Sequence, residues 1–207
     1  MGWVGIAWSA RGLLALTLPQ LTEDDALARL SERMNKWRGS KTPSEDGETF
    51  CYGRASASEA ALRPLIERWG LEGISDDPVL DDLKARLQRY FAGERVAFDD
   101  PLDPTVGTPF QRRVWAATRE IPYGETRSYR WMACRIGSPG AARAVGQALA
   151  ANPFPIVVPC HRVIRSDGDL GGFGSRPELK RRLLEMEARR CASPGSTRGV
   201  PLVSSSP

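Results

Sequence analysis

The sequence predicts an α+β fold in two parts. A small N-terminal α/β domain carries a β-hairpin or sheet, and a mostly helical C-terminal domain is built on a helix-turn-helix, winged-helix-like. Three observations carry this. Two short apolar runs, "WVGIAW" and "LLALTL", flank the turn "SARG". A Pro- and Gly-rich stretch, "DDPLDPTVGTP" (99–109), interrupts the chain near its middle. Two short helical patterns joined at a glycine then follow. With 207 residues the chain is long enough for one large domain or two smaller ones, and its 41% hydrophobic content allows a real core. The expected boundaries are 1–98 for the N-terminal domain, 99–107 for a linker, 108–190 for the helix-turn-helix domain and 191–207 for a flexible Ser/Pro/Gly tail.

Taken in order, the apolar runs around "SARG" read as a hairpin. Thr22 with Asp25 resembles a capping box, and Leu27, Leu30, Met34 and Trp37 recur at helical spacing behind it. Residues 38–56 read as a polar connection. Leu80, Leu83, Leu87 and Tyr90 place an amphipathic helix over 78–91, and "FAGERVAF" is expected to end it at glycine and add a short strand. In the second half, "PFQRRVWAATREI" is a helix with Phe110, Val114, Trp115 and Thr118 along one side, broken by "PYGET". "SYRWMACRIG" is a second helix, capped by Ser128 and stopped by Gly137. "SPGAARAVGQALAANP" is a third, with Ser138 as cap, Pro139 at its first position and Pro153 barring continuation past Asn152. Its core side is Ala141, Ala144, Val145, Ala148 and Leu149. The other side is short-chained apart from Arg143 and Gln147, so the helix can lie close to a duplex or pack tightly on a neighbour.

Charge is unevenly spread. Residues 1–100 carry 13 Lys+Arg against 17 Asp+Glu, and residues 101–190 carry 15 against 8. The basic half suits a polyanion, although a solvated surface would show the same asymmetry. The opposed charges would also let copies cluster along DNA. No run approaches the roughly 20 apolar residues of a membrane span, and "MGWVGIAW" has no basic flank of a signal peptide. The four cysteines, Cys51, Cys134, Cys160 and Cys191, form no C-x-x-C pair and read as reduced thiols of a cytoplasmic protein. No zinc site is expected.

"IVVPCHRVI" (156–164) holds the only histidine of the chain next to a cysteine. Ile156, Val157 and Val158 read as a buried strand, with Pro159 holding Cys160 rigidly at its end. A thiol near pKa 8.5 needs a base to become a nucleophile, and His161 is the one histidine available. Neighbours on a strand point to opposite faces, so a water relay or a local turn would have to join them. An orienting carboxylate would come from Glu185 or Glu187 on the helix "SRPELKRRLLEMEARR", whose capping box is Ser175 to Glu178. On these residues alone, a pair of core residues remains the other reading.

The set "GTPFQRRVWAATREIPYGETRSY", "ARAVGQALAANP", "VVPCHRVI", "GGFG" and "KRRLLEMEA" resembles, in order and spacing, the O6-alkylguanine-DNA alkyltransferase family over about 105–188. The first half is similar to that family's more variable first domain. The resemblance implies a protein that binds double-stranded DNA through the minor groove and flips O6-alkylguanine, or O4-alkylthymine, into a pocket. The alkyl group then passes irreversibly to Cys160, once per molecule and with no cofactor. It also implies that His161 takes the thiol proton through a water and that Glu187 orients His161. Asn152 ties the recognition helix to the active-site segment, and Arg143 fills the space the base leaves. Tyr129 crowds the adjacent phosphate and donates a proton to guanine O6. Ser128, Ala142, Gly146 and Gln147 join Arg143 and Tyr129 at the DNA, and Pro155, Val163, Gly171, Phe173 and Gly174 line the base pocket. Phe173 stands where the family often has tyrosine, and Gly174 where many relatives have serine, so neither position carries the hydroxyl. In a bacterium the protein would be nucleoid-associated. Three rivals differ in their chemistry: a non-catalytic lesion sensor lacks the acceptor cysteine, a transcription regulator needs more long polar readers, and a cysteine hydrolase needs an oxyanion hole.

Overall fold

The computed structural model describes residues 4–9, 11–38, 50–52, 78–172 and 177–191. The chain divides into two compact units. The first comprises Met1–Gln88, Phe98–Gly107 and Pro153–Pro155, and the second Arg89–Ala97, Thr108–Asn152 and Ile156–Pro207. The segment 99–107 thus groups with the first unit and 89–97 with the second. The tail beyond 191 lies outside the described residues.

In the first unit the expected hairpin is β1 (Gly5–Ser9) and β2 (Gly12–Leu16), paired antiparallel with a register shift between Ala7 and Trp8. A third strand, β3 (Phe50–Tyr52), pairs antiparallel with β1, giving the order β2-β1-β3. It falls inside the stretch read as a polar connection. Phe50 and Tyr52 are the aromatic residues that favour a strand there, and the rest of that connection, 39–49 and 53–56, lies outside the described residues. Helix α1 (Glu23–Arg38) starts at Thr22, whose hydroxyl accepts from the Asp25 amide at 3.1 Å. Leu27, Leu30 and Met34 are buried as the spacing predicts; the side chain of Trp37 lies outside the described residues. Leu13 donates to the Pro101 carbonyl at 2.8 Å, and Asp103 donates back to Leu13 at 3.0 Å, so the proline-rich segment pairs with β2. Arg86 grips Asp100 through two bonds of 2.6 and 2.8 Å.

Helix α2 (Pro78–Phe91) has the expected bounds, burying Leu80, Leu83, Leu87 and Tyr90. Gly93 follows it, but residues 94–98 form no strand. The chain turns back there through hydrogen bonds from Gly93 to Tyr90 and Glu94 to Arg89.

In the second unit α3 (Pro109–Arg119) begins with a capping box: Thr108 accepts from the Gln111 amide, the Gln111 side chain accepts from the Thr108 amide, and Pro109 opens the helix. Val114, Trp115 and Thr118 are buried. A short strand, β4 (Arg127–Ser128), leads into α4 (Tyr129–Arg135), which Ser128 caps at 3.0 Å from the Trp131 amide. Helix α4 stops at Gly137, whose φ of 72° suits a glycine; the amides of Gly137 and Ser138 close back on Cys134 and Ala133. Ser138 does not cap the next helix. Ser138, Pro139 and Gly140 make a turn closed by the Ala141 amide on the Ser138 carbonyl at 2.9 Å, and α5 runs Ala142–Ala150 from an Ala141 without a side-chain cap. The turn of the helix-turn-helix is therefore residues 136–141, longer than expected. Val145, Ala148 and Leu149 are buried while Arg143 and Gln147 are exposed. The Trp115 indole donates to the Ala148 carbonyl at 3.0 Å and pins α5 on α3.

The apolar run 156–158 is buried but is not a strand. Ile156 and Val157 form a turn, and Ile156 has φ 76°, an unusual conformation for a β-branched residue. Pro155 and Pro159, on either side, have no amide hydrogen to give a ladder. The strand comes after the cysteine, as β5 (Val163–Ile164), parallel to β4. The helix-turn-helix is thus the crossover between two parallel strands. Helix α6 (Pro177–Cys191) follows. Its proposed cap, Ser175, lies outside the described residues.

Candidate functional site

Cys160 opens a 3-10 turn, Cys160–Arg162, rather than ending a strand. Pro159, at φ −79° and ψ 62°, makes a three-residue turn in which the Cys160 amide bonds the Val158 carbonyl at 2.8 Å. The turn continues with Arg162 donating to Pro159 at 2.9 Å. This local winding, not strand alternation, sets the directions of Cys160 and His161. Asn152, just past the end of α5 and buried, donates from Nδ2 to the Val158 carbonyl at 3.0 Å and to Cys160 Sγ at 3.2 Å. The family resemblance implies this linking position for Asn152, and the described geometry brings it to Cys160.

His161 is fully buried. Its Nε2 is 2.9 Å from Glu187 Oε1, and its Nδ1 has no hydrogen-bond partner among the described residues. Burial holds the imidazole below its ordinary value of 6.5, overcoming the opposite pull of Glu187. The neutral ring therefore carries its hydrogen on Nε2, facing the carboxylate, and its lone pair on Nδ1. Glu187 is the carboxylate of the pair; Glu185 is exposed. Burial alone would raise Glu187, but its bonds from His161 and Arg162 hold it far below the usual carboxylate range.

Two partners were not singled out in the sequence. Arg162 donates from Nε to Glu187 Oε2 at 2.9 Å, from Nη2 to Oε1 at 3.0 Å and from Nη1 to the Ile121 carbonyl at 2.7 Å. Tyr90, at the end of α2, donates its hydroxyl to Glu187 Oε1 at 2.7 Å and lies 3.2 Å from His161 Nε2. Helical spacing marks Tyr90 as core, and nothing local tells a buried phenol with a polar partner from one without. Arg162 had a signal: a charged residue inside an apolar run needs a buried counter-charge.

Tyr129, half-buried, lies between α5 and the 170s loop: a Cβ on Gly146 would stand 3.7 Å from its ring and one on Gly171 3.1 Å from its hydroxyl. Gly171 has φ 64°, so glycine serves both the backbone and the close approach. Burial and then the nearby Cys160 charge push the Tyr129 phenol up. Lys180, buried on α6 and also missed, donates to the carbonyls of Val163 and Leu170 and lies 5.9 Å from the centre of the Tyr129 ring. Burial lowers it to about 8. Ser128 and Ala142 are half-buried, and Pro155 and Val163 are buried, Pro155 in the first unit. Phe173 and Gly174 lie outside the described residues. Among the described residues no group of three His, Cys, Asp or Glu side chains could hold a metal ion, and no helix is long and apolar enough to cross a membrane.

Fold and site together define a helix-turn-helix protein with a buried thiol beside a histidine–carboxylate pair. Residues 109–189 match the family model of the 6-O-methylguanine DNA methyltransferase DNA-binding domain, and residues 49–104 that of the same proteins' ribonuclease-like domain. The chain is 57% identical over 132 residues to a methylated-DNA–protein-cysteine methyltransferase of Mycobacterium bovis, covering 64% of this chain and 77% of that one. It is 53% identical over 113 residues to the constitutive enzyme of that name in Bacillus subtilis, covering 54% and 68%. The crystal structure of Mycobacterium tuberculosis OGT in complex with DNA is similar at TM-score 0.54 and 43% identity, over 71% of this chain and 85% of that one. The chain belongs to the methylated-DNA–protein-cysteine methyltransferase family.

Proposed function

We propose that the protein repairs alkylated DNA by direct reversal, passing the alkyl group of O6-alkylguanine to its own Cys160. The observation that carries this is the polarity around one buried sulfur. Asn152 aims an N–H at Cys160 Sγ, and His161, next to it in the 3-10 turn, has its Nε2 engaged by Glu187 and its Nδ1 without a partner among the described residues. An N–H donor favours the thiolate, and a neutral imidazole nitrogen can take the proton through a water. The S–H bond breaks and an N–H bond forms on His161. The thiolate attacks the alkyl carbon, an S–C bond forms, and the C–O6 bond breaks with its electron pair going to guanine. Tyr129 hydrogen-bonds O6 as the charge develops there. The thioether has no leaving group, so each molecule acts once.

The lesion is inside the base stack, so the nucleotide must be extruded. The exposed, slim face of α5 with Arg143 and Gln147 suits the narrow minor groove, and Arg143 would occupy the vacated space. Ala142 and Gly146 lie on α5 as well, and Ser128 caps α4. The base would rest near Gly171 and Val163, with the cytoplasm as the compartment. Opposed charges in the two halves favour clustering of copies on DNA.

The test is a single-turnover assay with a duplex containing one O6-methylguanine, read by intact mass and peptide mapping beside Cys160→Ser. One added methyl on Cys160, absent from the variant, is the expected result. Tight lesion binding without transfer would overturn it in favour of a damage sensor.

A further inference from the structure

Glu187 receives five N–H and O–H donors on its two oxygens. Oε1 takes Tyr90 Oη at 2.7 Å, His161 Nε2 at 2.9 Å and Arg162 Nη2 at 3.0 Å. Oε2 takes Arg162 Nε at 2.9 Å and the Gly124 amide at 3.1 Å. A carboxylate has about four lone-pair sites, so this one is saturated. Arg162 supplies the counter-charge. The tyrosine is not needed for charge balance, yet its phenol is delivered to this point from a helix, 71 residues before His161 in sequence.

We propose that Tyr90 is a positioning residue of the transfer centre: by donating to Glu187 beside Arg162, it tempers the pull of that carboxylate on His161 and leaves the imidazole neutral, ready to take the proton of Cys160. This rests on the reading of Cys160 as acceptor. A carboxylate that bears only on the ring would hold His161 as the imidazolium, which has no lone pair on Nδ1 for the thiol proton. A carboxylate that shares its charge among five donors pulls less on the ring, so the neutral form is kept. Tyr90 keeps the hydrogen that it donates to Glu187, because burial and then Glu187 push its phenol far up. Its ring is held edge-on by Phe91 at 5.4 Å and Tyr123 at 6.2 Å, so a phenylalanine would keep the packing and lose only the hydroxyl.

Without that hydroxyl, more of the Glu187 charge bears on His161, and the imidazolium is favoured. The opposing effect, loss of the phenol oxygen near Nε2, acts over the longer 3.2 Å contact and is the smaller. The other charged groups around the ring, Arg162 and Lys180, are unchanged by the substitution.

The chain has one histidine. Ring 15N NMR of the full-length protein therefore reports His161 without assignment. Tyr90→Phe should raise its titration midpoint by about one pH unit. The acid limb of Cys160 alkylation by iodoacetamide, followed by peptide mapping, should move up with it. Unchanged midpoint and profile, with only a lower Tm, would overturn the proposal and leave Tyr90 a packing residue. Should the variant not fold, the wild-type ring shifts decide: a hydrogen on Nε2 supports the proposal, whereas a hydrogen on Nδ1 overturns it, since Tyr90 would then donate to His161. Neither readout uses DNA. Failure of methyl transfer from DNA with the shift intact would reject the repair function and leave the role of Tyr90 standing.

Discussion

Asn152 Nδ2 bonds the Val158 carbonyl at 3.0 Å and Cys160 Sγ at 3.2 Å, so one side chain at the end of α5 holds both the reactive loop and its nucleophile. The carbonyl keeps a second donor, the Cys160 amide at 2.8 Å. Asn152→Ala should therefore cost only about 1 kcal/mol of stability. The sulfur loses an N–H donor, and the pH at which Cys160 is half-alkylated by iodoacetamide should rise by about one unit. Asn152→Asp, which adds a negative charge beside the thiolate, should raise it further.

Acid should weaken the fold in two stages. His161 is held neutral by burial, below its ordinary 6.5, so the unfolded chain binds a proton that the folded one refuses. That stability is complete above pH 6.5 and is lost as pH falls below it, with a slope of about 1.4 kcal/mol per unit for one proton. Glu187 is held far below its ordinary 4.5, so its contribution is present above 4.5 and is lost as pH falls further, toward its folded value. Urea midpoints measured from pH 8 to 3 should fall in these two windows. His161→Gln should flatten the first.

At Gly171, alanine meets two obstacles. The φ of 64° is unfavourable for it, and its Cβ would stand 3.1 Å from the Tyr129 hydroxyl. Gly171→Ala should destabilise by about 1–2 kcal/mol in urea unfolding. Because the hydroxyl must shift, transfer should slow even where the protein is fully folded. Equal single-turnover rates would separate Tyr129 from this loop.

Arg143 is exposed on α5. Arg143→Ala should leave Tm unchanged within error and weaken transfer from duplex DNA about tenfold or more. Cys160 alkylation by iodoacetamide, which needs no extruded base, should be unaffected.

Periodicity made most of this architecture readable. The 3–4 spacing of Leu80, Leu83, Leu87 and Tyr90 placed α2 at its observed bounds, and Ser128 and Gly137 marked both ends of α4. The failures lie where proline chemistry outweighs side-chain preference. Ile156, Val157 and Val158 have strand-forming side chains, but the prolines on either side deny them a ladder. At 138–140, "SPG" looks like a cap and a first turn, yet it closes a tight turn and α5 starts later. Cys160, His161, Glu187 and Asn152 were legible through motif and order, and the described geometry brings them together. Tyr90 and Lys180 were not, because a long-range partner leaves no trace in local spacing.

The buried carboxylate of Glu187 touches Tyr90 on α2, Gly124 in the turn after α3, and His161 and Arg162 in the 3-10 turn. Arg162 in turn holds the Ile121 carbonyl at the end of α3. "PCHRV" is therefore not a portable cassette. Transplanted alone into another scaffold it would bring a thiol and an imidazole but leave behind the groups that set where the proton rests. A working graft would need to carry at least four separated segments of chain, and lineages that keep the motif would be expected to vary those segments in concert.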